Sequence, residues 1–359
     1  MKPAQVPRTD RDSAKLLVID SRQSRFSDAH IADLPSLLQP EDLLVVNDAA
    51  TLPASLAGRS PSGAPMEIRL ARQSGEGLWQ AVLFGPGDWR TPTELRDPPD
   101  TLRSGDVIEI SEFSSVGPTA RQFQIGTASG MCRSVPPRFA AEVVDVSPVS
   151  DRLVTVRFNR TGAAFWSALY AWGRPIQYSY HLNDLPLWSV QTVYAARPWS
   201  MEMPSAGRPL TWSILLALRR RGIQLAWLTH SAGLSAVGDE DLDSKLPFTE
   251  RFDIPQTTVD AIEETKNRGT RVIAVGTTVA RALEARTPRA GPGETDLVID
   301  KSFHPKIVGG ILTGMHDPAQ SHFRLLRAFA DEMTLRRAWR HATEAGYLCH
   351  EFGDLCLIQ

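Results

Sequence analysis

What the chain lacks narrows its class before any motif is read. No stretch of its 359 residues approaches the run of about 20 apolar residues that a membrane-spanning helix needs, so no membrane partner is expected. The opening MKPAQVPRTD carries no signal-peptide pattern. Cysteine is scarce: Cys132, Cys349 and Cys356 are too few and too scattered for a disulfide framework or a metal-ligand cluster. They read as free thiols, small and apolar, in a reducing, cytoplasmic compartment, and no metal is expected. Excess charge is missing too. Lys and Arg number 39 against 41 Asp and Glu, a net charge of −2, so no global polycation advertises nucleic acid, although a local basic face would be enough. The chain has no internal repeat and no low-complexity tract.

What is present is the composition of an ordinary enzyme, 42% hydrophobic and 22% charged, with length for two domains. Ala14–Asp20 and Leu43–Asp48 read as strands, the second apolar enough to be buried on both faces. From about Ser55 to Asn159 the texture changes: Gly and Pro punctuate short strands at Asp106–Ile110, Phe123–Ile125, Ala141–Val146 and Leu153–Phe158. That pattern predicts a small antiparallel barrel or sandwich, inserted between stretches of α/β rhythm. The expected organisation is an α/β domain with a mixed sheet in residues 1–54 and 161–359, interrupted by a β-barrel domain in 55–160. In the second part, Phe165–Trp172 reads as a short helix. Thr211 caps another with an Ile214, Leu215, Leu218 stripe, and Ile223–His230 is a strand. Thr257–Asp260 resembles a capping box opening a helix to about Asn267. Asp296–Ile299 and Gly310–Leu312 are strand candidates, Gln320–Ala345 one long helical region, and Leu355–Ile358 a last strand returning to the main sheet. The arginines of the late helix could present a phosphate-binding face, but acidic residues between them favour a solvated helix.

The stretch TRVIAVGTTVARALE, from Thr270 to Glu284, organises the chemistry. Its β-branched run is a buried strand, Gly276 allows a tight turn, and Thr277 or Thr278 can cap a helix beginning at about Val279. The free amides of such a helix start suit a carboxylate or phosphate, and Arg281 on the first turn could fork onto the same anion. A plain structural cap would look the same. Asn47 and Asp48, at a strand's C-terminal end, stand where open α/β sheets place ligands, with Asx-turn chemistry as the alternative.

Several motifs then carry a resemblance. LLVVND from Leu43, QTVYA at Gln191–Ala195, PSAG at Pro204–Gly207, VGTTVARALE from Val275 and Phe352-Gly353-Asp354 occur in this order over nearly the whole chain. The sequence resembles the S-adenosylmethionine:tRNA ribosyltransferase-isomerase family of the queuosine pathway, whose α/β domain is interrupted by a β-barrel. The resemblance implies transfer and isomerisation of the ribosyl group of S-adenosylmethionine, a co-substrate, onto the aminomethyl group of a 7-deazaguanine in tRNA. Adenine and methionine leave, and no metal or redox cofactor takes part. It places His230, His316 and Glu250 in catalytic positions. It places Gly276, Thr277, Thr278, Arg281, Tyr194, Ser205, Gly207, Asn47 and Asp48 around the co-substrate. Tyr194 could equally be core, Glu250 a solvated salt bridge, and either histidine a structural one.

The departures from the family pattern are concrete. Ala49-Ala50 stand where Thr-Arg is usual after Asn-Asp, Pro209 where a His follows the PSAG region, and Leu246-Pro247-Phe248 where paired histidines precede Glu250. The family's Asn-Phe-His-Leu-Pro survives as Gly314-Met315-His316-Asp317-Pro318. These changes leave open a divergent member that uses S-adenosylmethionine on a small-molecule acceptor, or one that binds the nucleoside or RNA without turnover. The chain is expected to act as a monomer.

Overall fold

Side chains alternate across a strand, so an unbroken apolar run such as Leu43–Val46 needs a core on each face. It finds both. Leu43 and Val45 enter one buried cluster, Leu44 and Val46 another. Val272 and Ala274, then Ile273 and Val275, divide between the same two clusters.

The computed structural model describes residues 1–113, 138–286, 289–318 and 321–359. The expected strand Phe123–Ile125, Cys132 and Gln320 lie outside the described residues. The chain forms two compact units. One comprises Met1–Leu52, Gln177–Ala236 and Lys245–Gln359, the other Pro53–Ile176 and Val237–Ser244.

In chain order the first unit opens with β1 (Lys15–Asp20), β2 (Arg25–His30) and β3 (Leu43–Asn47). The second supplies β4 (Ser55–Arg59), β5 (Pro65–Gly75), β6 (Leu78–Phe84), β7 (Val107–Ser111), β8 (Ala140–Val146), β9 (Leu153–Phe158) and helix α1 (Gly162–Trp172). The first resumes with α2 (Trp212–Arg220), β10 (Gln224–His230), β11 (Glu250–Ile254), α3 (Gln256–Arg268), β12 (Val272–Val275) and α4 (Thr277–Arg286). It ends with β13 (Gly291–Thr295), β14 (Gly310–Gly314), α5 (Ser321–Leu326), α6 (Glu332–Glu344) and β15 (Leu355–Ile358).

The first unit's mixed sheet has the order β13-β11-β10-β3-β12-β14-β15-β1-β2. On one face α2 packs its Ile214, Leu215 and Leu218 stripe; on the other lie Val259 and Ile262 of α3, Val279 and Leu283 of α4, and Leu335 and Ala338 of α6. The second unit is a closed antiparallel barrel, β8-β9-β6-β5-β4-β7. Phe139, Phe158, Phe165 and Trp79 stack inside that unit. Glu67 is buried there between Arg69 and Arg96, at 2.7 Å from each. Burial pushes its carboxyl up, but the two guanidinium groups outweigh that and bring it down to about 2.

The local reading needs four corrections. Residues 296–299 form no strand; β13 lies just before them, a Gly-Pro-Gly-Glu-Thr edge held by antiparallel pairing with β11. The long late helix is two, because Asp331 accepts from Thr334 N at 2.9 Å and starts α6 afresh. Helix α3 begins at Gln256 without a side-chain cap, and Thr258 donates instead to Trp227 O at 2.6 Å. Helix α4 begins at Thr277, so Thr277 and Thr278 lie within its first turn rather than capping it, and Arg281 falls on its second.

Candidate active site

The strands set the stage. β10, β3, β12 and β14 run parallel, so their C-terminal ends share one edge of the sheet. β11 and β15 run the opposite way and begin at that edge. Open α/β sheets bind ligands there. His230 closes β10, Glu250 opens β11, Gly276 follows β12, and His316 follows β14.

His230, Glu250 and Arg281 meet in one buried cluster. Arg281 Nη1 donates to Glu250 Oε2 at 2.6 Å, its Nε to Leu297 O at 3.0 Å, and Gly233 N to Glu250 Oε1 at 2.8 Å. Glu250 and Arg281 are each 7% exposed, so the solvated salt bridge considered for Glu250 is in fact a buried one. Burial pushes the Glu250 carboxyl up, and the Arg281 charge and Gly233 amide pull it back. His230 is fully buried, lies parallel to Phe252 at 6.3 Å, and stands 3.6 Å from Glu250 Oε2. Burial, and then the Arg281 charge, bring its imidazole down to about 3, so it is neutral at physiological pH. Both of its nitrogens and Arg281 Nη2 are buried without a hydrogen-bond partner among the described residues. Unpartnered buried polar atoms are rare and mark places where a ligand or water would complete the set.

Two further histidines, His322 and His350, extend this cluster. His322 stacks on His316 at 4.8 Å and 13°, while His316 Nε2 lies 3.0 Å from Thr313 Oγ1. Burial and then Arg281 hold His322 at about 4; burial and the neighbouring His322 and His350 hold His316 well below its usual range. His350 has a positive φ of 68°. No local pattern marks either residue: His322 feels the charge of Arg281 and His350 stacks on Tyr180, both far away in sequence.

The remaining expected residues divide. Asn47 is 1% exposed and committed to backbone: Nδ2 donates to His230 O at 2.9 Å, and Oδ1 accepts from His230 N and Ala49 N. These three hydrogen bonds hold the His230 and Ala49 backbone. Asp48 accepts from Thr229 Oγ1 at 2.6 Å, and burial raises its carboxyl. Gly276 adopts φ +93°, a left-handed conformation that glycine tolerates. A Cβ on it would lie 3.5 Å from Ala206, so the Ser205–Gly207 turn sits beside the start of α4. Thr277 and Thr278 are half-buried there. Tyr194 Oη is buried without a partner among the described residues and lies 2.0 Å from where a Cβ on Gly207 would be. Tyr194 also lines an apolar cavity of about 680 Å³ with Val46, Trp212, Leu216 and Trp227.

Comparison with known proteins gives the family of the chain. The model of a family described as "Queuosine biosynthesis protein" matches residues 2–358. A Thermus thermophilus protein named S-adenosylmethionine:tRNA ribosyltransferase-isomerase is 33% identical, over 97% of this chain and 93% of its own. A Thermotoga maritima protein of the same name is 30% identical, over 99% and 95%. The crystal structure of an S-adenosylmethionine tRNA ribosyltransferase from Thermotoga maritima shares the fold, with a TM-score of 0.51 and 24% identity over 99% of this chain and 96% of that one. On a match that spans both units, the chain belongs to the queuosine biosynthesis protein family.

Proposed function

We propose that the protein transfers and isomerises the ribosyl group of S-adenosylmethionine onto an aminomethyl group of a 7-deazaguanine in tRNA, releasing adenine and methionine. The observation that carries this reading is the buried contact of His230, Glu250 and Arg281, three elements meeting at the ligand-binding edge with polar atoms unpartnered. Relatives bearing the name of that activity support it.

In this reading the first-turn amides of Thr277 and Thr278 and the unpartnered Nη2 of Arg281 take the methionine carboxylate. Ser205 and Gly207 shape the adjoining wall, Tyr194 packs behind it, and Asp48 faces the ribose hydroxyls. His230 and His316 stay neutral and offer hydrogen bonds to the departing adenine. Glu250 holds Arg281, and Asn47 fixes the His230 backbone. A second reading, with a small amine as acceptor, is favoured by Pro209 and by Leu246-Pro247-Phe248, which put apolar side chains where the family pattern has histidines.

The test is incubation with S-adenosylmethionine, alone, with tRNA carrying the aminomethyl base, and with small primary amines, following adenine and methionine. Release of both only with the tRNA supports the first reading, and release with a small amine the second. Binding without release of either product in any arm overturns both and leaves a non-catalytic binder.

A further inference from the structure

A second polar cluster of the sheet-containing unit lies among residues not yet assigned a role. Tyr178 Oη donates to Glu202 Oε1, and Ser235 N donates to the same oxygen at 3.0 Å. Tyr180 Oη donates to Glu351 Oε1 at 2.6 Å. The two phenol rings stack 5.9 Å apart at 15°, and Tyr180 stacks on His350 at 4.4 Å. His181 is 5% exposed; its Nε2 faces Glu351 at 3.8 Å, beyond hydrogen-bond reach, and has no hydrogen-bond partner among the described residues.

This cluster lacks a cation. Glu67 has Arg69 and Arg96, and Glu250 has Arg281. Among the described residues no Lys or Arg forms an ion pair with Glu202 or Glu351. Glu202 and Glu351 are half-buried, and a carboxylate drawn partly out of water still gains from a counter-charge or a proton. Burial raises Glu202 to about 7 against the Tyr178 and Ser235 hydrogen bonds, and the neighbouring Glu351 adds to the rise. Burial raises Glu351 as well, against the Tyr180 hydrogen bond. Stacked aromatic faces beside two carboxylates are the recognition chemistry of an organic cation.

The cluster adjoins the candidate active site through shared parts. One loop gives Gly233 N to Glu250 and Ser235 N to Glu202. His350, stacked on Tyr180, also bears on His316.

We propose that Glu202 and Glu351, with the Tyr178 and Tyr180 rings, form a subsite for an organic cation of the reaction, a role that rests on the function proposed above. The cation has two sources: the charged sulfur nucleoside, or the primary ammonium of the acceptor. In the second case Glu202 carboxylate takes a proton from R–NH3⁺. An N–H bond breaks and an O–H bond forms, leaving R–NH2 with its lone pair free and Glu202 as the acid, with no redox change.

Calorimetry on the full chain separates the outcomes. S-Adenosylmethionine is compared with S-adenosylhomocysteine, which lacks the sulfonium charge, and benzylammonium with benzyl alcohol. Each pair is titrated into wild type, Glu202→Gln and Glu351→Gln at pH 8. A sulfonium subsite gives a preference of roughly tenfold for the charged nucleoside, erased in both variants while the neutral nucleoside binds as before. An acceptor subsite gives that preference in the benzylammonium pair instead. The wild type alone supplies a further arm: cation preference rises between pH 6 and 8 as Glu202 ionises. His181, held at about 4 by burial and then His350, and Tyr180, raised well above its usual range, keep their charge states across that interval. Absence of preference in both pairs, or a preference that survives both substitutions, overturns the subsite. Failure of both nucleosides to bind while benzylammonium is still preferred overturns the functional reading and leaves the subsite standing.

Discussion

Arg281 carries its charge inward, onto Glu250, with one nitrogen left over. A residue that served only as a ligand clamp would leave the empty protein's stability untouched when removed. Here Arg281→Ala strands a buried carboxylate, and breaking a buried pair in that way costs about 3–5 kcal/mol. The expected result is a fall of that size in the urea-unfolding free energy without ligand, and partial recovery when Glu250→Leu is added. Unchanged stability would show that the pair is not formed. The contact itself was not legible: the motifs mark Glu250 and Arg281 separately, but they stand 31 positions apart and nothing local joins them. Tyr194 and Gly207 are another such couple. Gly207→Ala would drive a methyl into Tyr194 Oη and should destabilise the fold. Tyr194→Phe alone should be neutral or stabilising, since it deletes a buried hydroxyl without a partner, worth about 1–3 kcal/mol. The double variant should recover much of the loss, because the oxygen that clashes is gone; thermal unfolding of the three variants checks the order.

Elements that bury a periodic apolar face were readable, and those defined by a partner were not. The Ile214, Leu215, Leu218 stripe of α2 and its Thr211 cap are local properties, and they stand as expected. The strand β13 is a Gly-Pro-Gly edge whose only reason to be extended is β11 beside it, so the propensity of Asp296–Ile299 pointed a few residues too late. The break between α5 and α6 was written in Asp331, a cap whose bond to Thr334 outweighs the helical periodicity on either side. Junctions between elements hold the site, and Asn47 is the one with the most at stake. It joins β3 to β10 through two hydrogen bonds to the His230 backbone and accepts a third from Ala49 N. Asn47→Ala leaves His230 N–H, His230 C=O and the Ala49 amide without partners, at about 1–3 kcal/mol for each group that water cannot reach. Denaturant unfolding should show a lowered midpoint with an unchanged slope. Asn47→Asp should not rescue it, since a carboxylate cannot donate to His230 O. A loss below about 0.5 kcal/mol, the level of an ordinary surface change, would remove Asn47 from its positioning role.

At the scale of the whole molecule the buried titratable groups pull against one another. His181, His230, His316, His322 and His350 all sit below their usual value because burial disfavours the imidazolium. Below about pH 6.5 the unfolded chain takes up protons that these folded residues refuse, so each contributes stability that is lost as pH falls toward its folded value. Asp48, Glu202, Glu250 and Glu351 are raised by burial and act in the opposite sense. Folded, they keep protons that the unfolded chain has released, so their contribution is present at low pH and is lost as pH rises through the folded value; for Glu202 that interval runs from its ordinary 4.5 to about 7. Between about pH 5 and 6.5 Glu202 and the histidines act in opposite directions, which flattens the profile there. Further down, the carboxyls no longer compensate, and Glu67, lowered to about 2, adds a loss of its own as pH drops from 4.5. Stability should therefore fall steeply on the acid side. Removing one counterweight makes the balance visible. Glu202→Gln should tilt the flat region, so that unfolding free energy climbs with pH by up to one proton's worth, about 1.4 kcal/mol per pH unit, between pH 5 and 7. Denaturant titrations at half-unit pH steps read this directly; a variant whose profile stays parallel to the wild type through that interval would mean that Glu202 is already ionised there, with its negative charge balanced by a group other than a bound cation.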